Sequence, residues 1–258
     1  MEMDRRRDFP PTAITRRYAI LSSPRSGSTL LGRMLFATGL AGDPLEYFGR
    51  NLLTIQREKE RKPALSPQQL LAAMERRRTS PNGVFGMKMH YAQFLFGYQT
   101  DLVDERMLRF LRAQTLIWIR RRDRLAQAVS YAVAIRSNAW SSEVTGRAEI
   151  PPIHPADCVN CLQEVCWDDR GWETLIDAAG LVVHTVWYED LVADYEGSCR
   201  AVLLHLGLDE AGTHIPPPPI CRQADARNAA AYRALCDYLG AGRGRPSNRD
   251  TPDRTLAI

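Results

Sequence analysis

The stretch Tyr18-Ala19-Ile20-Leu21-Ser22-Ser23-Pro24-Arg25-Ser26-Gly27-Ser28-Thr29-Leu30-Leu31 decides the fold. Its first four residues make an apolar run of the length of a buried strand. Leu30, Leu31, Met34 and Leu35 then recur at the spacing of one helix face. The order is strand, tight polar loop, helix. The first N–H groups of such a helix have no intrahelical partner, and they converge where the helix dipole is positive. That is a place for a phosphate. Gly27 lets the backbone approach without a Cβ, Arg25 adds a two-pronged cationic donor, and Ser26, Ser28 and Thr29 supply hydroxyls. The candidates here are Arg25, Ser26, Gly27, Ser28, Thr29 and Leu30. The nucleoside-triphosphate loop G-x-x-x-x-G-K-[ST] is a different device, because its lysine follows the glycine and its Ser/Thr holds a metal. Here the basic residue precedes the glycine. The expected ligand is a phosphate or phosphosulfate held without a metal ion.

Outward from this loop, apolar runs predict strands over 84–90, 115–119 and 181–187. Helical patterns cover 66–78, 104–113, 124–135, 156–179, 188–206 and 226–239. The local punctuation agrees. Ser66-Pro67-Gln68-Gln69 reads as a capped helix start, Pro81-Asn82-Gly83 as a turn, and Gly180 as a helix stop. Arg76-Arg77-Arg78 reads as a solvated helix end. Strands alternating with helices predict a P-loop-like, three-layer α/β fold, a parallel sheet of about four to five strands covered on both faces. Residues 1–17 read as a flexible arm, 18–240 as one domain and 241–258 as a flexible tail. The polar segment 137–153 reads as a lid over an acceptor site.

Composition narrows the classes. With 258 residues and 45% apolar content, the chain can bury a real core. A formal charge of +4 suits an anionic ligand without requiring nucleic acid. Six cysteines in this length are no disulfide framework. The Arg-rich start has no apolar leader, and no run nears a membrane span of about 18 apolar residues. The expectation is a cytoplasmic protein. Cys158-x-x-Cys161 near His154 lacks a second pair, so buried helix thiols are expected there in place of a metal site.

Several side chains fall where the topology collects ligands, outside the carboxyl ends of strands. Lys88 and His90 end one strand. Arg120-Arg121-Arg122 end another, and Asp123 then opens a helix that carries Ser130 about two turns later. Glu46 lies between Leu45 and Tyr47-Phe48, an apolar setting for a poised base. Asp190 reads as a helix N-cap.

Pro24 to Leu31, continued through Gly42-Asp43-Pro44-Leu45-Glu46-Tyr47-Phe48, resembles the bacterial trehalose 2-sulfotransferase family, within the sulfotransferases that use 3′-phosphoadenosine 5′-phosphosulfate (PAPS). Matching pieces follow in order: Pro81-Asn82-Gly83-Val84-Phe85-Gly86-Met87-Lys88, Gln127-Ala128-Val129-Ser130, Tyr188-Glu189-Asp190-Leu191 and Arg222-Gln223-Ala224. The resemblance implies PAPS as co-substrate, no metal, a small-molecule or glycan hydroxyl as acceptor, and a homodimer. It implies Glu46 as general base, although Lys-x-His in the wider superfamily makes His90 the competitor. Arg25 and Lys88 would face the transferring sulfuryl group and the 5′-phosphate, which Ser26 to Thr29 cradle. Arg121 or Arg122, with Ser130, would hold the 3′-phosphate, and Arg222 would complete the nucleotide site. Segments 49–63 and 137–153 carry no match, which leaves trehalose, another saccharide or a glycolipid open as acceptor. A P-loop-type small-molecule kinase and a non-catalytic nucleic-acid-binding protein are the alternatives.

Overall fold

Residues Tyr18 and Ile20 face one side of a sheet, and Ala19 and Leu21 face the other; all four are fully buried. This two-residue alternation, apolar on both sides, is what a central parallel strand requires. A computed structural model describes residues 5–50, 54, 65–140, 150–208, 213–218 and 226–243. It contains four parallel strands, β1 (Arg16–Ser22), β2 (Val84–His90), β3 (Thr115–Arg120) and β4 (Val183–Trp187), in the order β2-β1-β3-β4. The expected three-layer α/β architecture is present, with four strands among the described residues.

The helices are α1 (Ser28–Ala37), α2 (Pro67–Arg78), α3 (Tyr91–Tyr98), α4 (Glu105–Arg112), α5 (Arg124–Ser137), α6 (Pro155–Ala179), α7 (Tyr188–Ala193), α8 (Tyr195–His205) and α9 (Ala226–Arg243). Ala19, Leu21, Met87, Met89 and Trp118 pack against α2, α3, α4 and the C-terminal half of α6. Tyr18, Ile20, Ile117, Ile119 and Val186 pack against α1, α7 and α8. A third cluster joins α5, α6 and α9 through Ala128, Ala132, Cys158, Cys161 and Leu235. The chain passes from β1 to β2 on one side and later to β3 on the other. The carboxyl end of β1 is therefore the switch point where such sheets take ligands.

Helix boundaries follow their caps. Ser66 and Gln69 form a capping box with Pro67 in the first turn of α2. Asp123 accepts from Ala126 N at 2.9 Å to open α5, and Gly180 closes α6 at φ 59°.

The structure corrects several expectations. The aromatic-rich α3 follows β2 without a break. Its apolar face is buried by the core, and His90 N donates to Gln93 Oε1 at 3.0 Å at its first turn. The single helix expected over 188–206 is two, broken at Asp194, whose side chain caps α8. Residues 5–17 are docked, not loose. Arg7 pairs with Asp43, Asp8 pairs with Arg77 at 2.9 Å and Arg78 at 3.2 Å, and β1 begins at Arg16. Arg78 is no solvated helix end either. It is fully buried, with Nη1 2.7 Å from Asp43 Oδ2. The cause is shared: Asp43 is itself buried, and a buried carboxylate demands charged partners. Cys158 and Cys161 are free, buried thiols, and burial pushes the Cys161 thiol up to about 12. Among the described residues no helix is long and apolar enough to cross a membrane.

Candidate active site

The loop after β1 is held from below. Trp172 Nε1 donates to the Ser22 carbonyl at 3.0 Å, and buried Gln127 donates to Ser23 Oγ at 3.0 Å and to the Pro24 carbonyl at 2.7 Å. The chain then turns through two left-handed residues, Arg25 at φ 61° and Gly27 at φ 96°. A Cβ on Gly27 would lie 2.6 Å from Tyr188 Cδ2, so glycine is needed for both conformation and space. Helix α1 starts here with no side-chain cap, leaving its first N–H groups to a ligand. Ser26 Oγ is buried and has no hydrogen-bond partner among the described residues. An anion with several oxygens fits that donor set: Ser26 Oγ, the loop N–H groups and the hydroxyls of Ser28 and Thr29.

A second element brings in Glu46. Leu45 bridges Met87 alongside β2, and Lys88 N donates to the Leu45 carbonyl at 3.0 Å. Glu46 is thereby aligned with the carboxyl end of β2. Its Oε1 is 2.9 Å from Lys88 Nζ and 3.8 Å from His90 Nε2, and its Oε2 accepts from Gln93 Nε2 at 2.7 Å. Burial alone would push this carboxyl up. The Lys88 charge, the His90 ring and the hydrogen bonds from Lys88 and Gln93 outweigh it and hold the group well below the usual carboxylate range. Lys88 Nζ also donates to Thr29 Oγ1 at 3.0 Å, joining the carboxylate to the loop. His90 lies with Nδ1 3.0 Å from Ser22 Oγ. Its burial depresses the imidazole below its ordinary value, with Glu46 pulling the other way.

The third cluster is cationic. Arg25 Nε donates to Ser130 Oγ at 3.0 Å, and a second guanidinium nitrogen donates to the Trp140 carbonyl. Burial, then the charge of Arg121, depress the Arg25 guanidinium below its ordinary value. Arg121 lies over the Tyr188 ring at 4.8 Å. The two arginines face the same ground, beside Tyr188 and the Gly27 turn.

The expected site residues thus divide. Glu46, Lys88, His90 and Thr29 meet at the ends of β1 and β2, and Arg25, Ser130 and Arg121 meet at the head of β3. Arg122 turns elsewhere. It binds Asp190 through two nitrogens at 2.6 and 2.8 Å and stacks on Trp187. Asp190 is accordingly an ion-pair partner and not the expected N-cap; Trp187 occupies that position. Leu30 follows in the first turn of α1. Arg222 lies outside the described residues.

Sequence reasoning passed over Gln93, Gln127 and Tyr188. Gln127 and Tyr188 stand inside segments quoted above, two residues from Asp190 or three from Ser130, and a neutral side chain there carries no signal of its own. Gln93 belongs to the helix that went unforeseen.

The model of a family described as Stf0 sulphotransferase matches residues 17–234. A trehalose 2-sulfotransferase of Mycolicibacterium smegmatis is 29% identical over 254 residues, covering 84% of this chain and 92% of that protein. One of Mycobacterium tuberculosis is 26% identical over 261 residues, covering 87% and 97%. Among solved structures, the sulfotransferase domain of the Synechococcus PCC 7002 olefin synthase aligns with a TM-score of 0.45 at 17% identity, covering 86% of this chain and 82% of that one. With a family match across most of its length, laid over the loop, the Lys88-bound carboxylate and the arginine pair, this chain belongs to the Stf0 sulphotransferase family.

Proposed function

We propose that this protein moves a sulfuryl group from PAPS to a hydroxyl of a carbohydrate acceptor, with Glu46 as general base. The carrying observation is the continuous chain Thr29–Lys88–Glu46, which links a phosphate-type loop to an ionised carboxylate. The two trehalose 2-sulfotransferase relatives support a saccharide acceptor.

In this reading the loop N–H groups, Ser26 and the hydroxyls of Ser28 and Thr29 receive the 5′-phosphate. Glu46 takes the proton of the acceptor hydroxyl as its oxygen attacks sulfur. The bond from sulfur to the 5′-phosphate oxygen breaks in line, much as in phosphoryl transfer. Lys88 meets the charge that gathers on that leaving oxygen. This gives the lysine a second task. While it pairs with Glu46 it keeps the carboxylate weakly basic, and as it turns toward the leaving oxygen the carboxylate regains basicity. Arg25, expected beside the sulfuryl group and the 5′-phosphate, lies against Ser130, so in this reading Arg25, Arg121 and Ser130 supply a seat for the 3′-phosphate, whose charge relieves the repulsion between the two arginines. His90 stands beside Glu46, 3.8 Å from its Oε1. Because positioning and charge stabilisation carry such transfers, the chain's own cations suffice for the chemistry described.

The test is thermal stability with 3′-phosphoadenosine 5′-phosphate (PAP) and with ATP–Mg²⁺, followed by transfer of label from [35S]PAPS to trehalose. A ligand at about 100 times its Kd adds about 2.7 kcal/mol of stability, a shift of several degrees at this size. A shift with PAP and labelled trehalose supports the proposal. A shift with ATP–Mg²⁺ alone points to a kinase and overturns it.

A further inference from the structure

Between the two halves of the site, α5 and α6 carry side chains that the donor chemistry does not use. Tyr131 follows Ser130. Its hydroxyl donates to Glu164 Oε2 at 2.9 Å, and its ring centre lies 6.1 Å from that of Trp140, whose carbonyl accepts from Arg25. Three residues after Glu164, and therefore beside it on the helix surface, stands Trp167. Its ring meets Tyr91 edge-on, with centres 5.2 Å apart. Tyr91 follows His90 and is backed by buried Trp172 at 5.3 Å. The run Trp140, Tyr131, Glu164, Trp167, Tyr91 therefore begins at Arg25 and ends at His90, the two borders of the reacting groups.

Tyr91 and Tyr131 pack against core clusters, but the core does not account for the two tryptophans. Trp167 is 52% exposed and Trp140 42% exposed, whereas large rings ordinarily bury far more of their surface. They are also well supported, since Tyr91 rests on Trp172, which is itself tied to the Ser22 carbonyl. A row of rigid aromatic faces interrupted by an exposed carboxylate suits a ligand with two kinds of surface. The C–H face of a pyranose ring rests on the aromatic side chains, and its hydroxyls donate to a carboxylate. A purely apolar acceptor would leave Glu164 desolvated and without a donor from the ligand.

We propose that this run is the acceptor wall, with Trp167 and Tyr91 as the surface for a pyranose ring and Glu164 as acceptor of its hydroxyls. The inference rests on the sulfotransferase reading above and adds the residues that would select the acceptor. Trp167 and Glu164 are exposed, so substituting them leaves folding intact.

The experiment measures [35S]PAPS transfer to trehalose, maltose and methyl α-glucoside by the wild type and by Trp167→Ala, Trp167→Phe and Glu164→Gln, with PAP affinity measured calorimetrically for each. Trp167→Ala is expected to raise the saccharide KM about tenfold, equivalent to about 1.4 kcal/mol. Its kcat and PAP affinity should stay within about twofold of wild type, and Trp167→Phe should recover part of the loss. Glu164→Gln is expected to raise KM severalfold in the same selective way. Unchanged KM in both Trp167→Ala and Glu164→Gln overturns the wall and leaves the sulfotransferase reading standing. A wild type that binds PAP but labels none of the three saccharides overturns the wall together with the saccharide acceptor. A wild type that binds no PAP removes the donor reading and the inference with it.

Discussion

Lys88 and Glu46 form a 2.9 Å ion pair whose lysine is at the same time hydrogen-bonded to Thr29 of the donor loop at 3.0 Å. The carboxylate and the loop share one cation. Glu46→Gln keeps the shape of the pair and removes the proton acceptor. It is expected to cut kcat by about 10²–10⁴, the usual worth of a positioned base, and to leave PAP affinity nearly unchanged. Single-turnover kinetics beside PAP calorimetry separate the two quantities. Turnover equal to wild type would end the assignment of Glu46 and direct attention to His90.

The same pair sets the acid limb of the pH profile. Glu46 is held below its ordinary range, so its stabilising charge is present above the unfolded value of about 4.3 and is lost only as pH falls through the lower folded value. Wild-type activity should therefore show no carboxylate limb at about pH 4.3, where an unshifted glutamate titrates. In Lys88→Met the main depressing charge is gone while burial, which raises the group, remains. A limb should then appear at higher pH, together with a fall in kcat of about 10² or more. Profiles of kcat/KM for both proteins decide this, and identical limbs would refute the coupling.

Arg121 and Arg122 are adjacent in sequence and have different partners. Arg121 lies over Tyr188 and is near enough to Arg25 for its charge to depress it, whereas Arg122 is engaged by Asp190. Arg121→Ala should weaken PAP binding by about tenfold or more, as loss of a charge-assisted phosphate contact does. Arg122→Ala should change it less than about threefold. The reverse order, read by calorimetry, would place the phosphate on the other arginine.

These contrasts mark how far the sequence was legible. The fold was, because β1 and β3 are apolar on both faces and their helices carry recognisable caps at Ser66, Asp123 and Gly180. Glu46 and Lys88 were legible as members of motifs at strand ends. Their contact was not, since it depends on Leu45 pairing alongside Met87 across about forty residues. The arginine triplet was ambiguous because charge alone does not say which neighbour claims it, and Asp190 does so only once β3 and β4 are side by side. Arg78 misled for a related reason. A helix-end arginine looks solvated until a buried carboxylate, Asp43, is known to lie above it. The proposed acceptor wall was invisible because its parts come from α3, α5, the stretch just after α5, and α6.

Asp168 offers a stability test outside the chemistry. Burial pushes its carboxyl up to about 7, although Ala92 N donates to it at 2.8 Å. A raised carboxyl contributes stability that is fully present below the unfolded value of about 3.9 and is lost as pH rises through about 7. Asp168→Asn retains an acceptor for Ala92 N–H and cannot ionise. The melting temperature of the variant minus that of wild type should therefore rise by several degrees from pH 4 to pH 8. A difference that stays flat over this range would mean that Asp168 ionises normally.

The last prediction concerns the floor of the donor loop. Gln127 is fully buried and spends both donors on the loop, at Ser23 Oγ and the Pro24 carbonyl, while its oxygen accepts from Arg124 at 3.3 Å. Arg124 in turn pairs with Asp169 of α6. The Pro24 carbonyl immediately precedes Arg25, the residue bent into the left-handed region, so this bond helps hold a conformation that costs a non-glycine residue about 1–2 kcal/mol. Gln127→Met keeps the volume and removes both donors, leaving the half-buried Pro24 carbonyl without this partner. PAP affinity should fall about tenfold, in line with one buried hydrogen bond's worth of 1–3 kcal/mol. The saccharide KM should change less, because the hydrogen bonds of Gln127 go to Ser23, Pro24 and Arg124 and not to Tyr131, Glu164, Trp167 or Tyr91. Gln127→Glu offers a carboxylate to the carbonyl oxygen and should be worse than Met. A purely structural role would instead lower the melting temperature and both substrate affinities together, and PAP affinity equal to wild type in Gln127→Met would show that the loop holds its shape unaided.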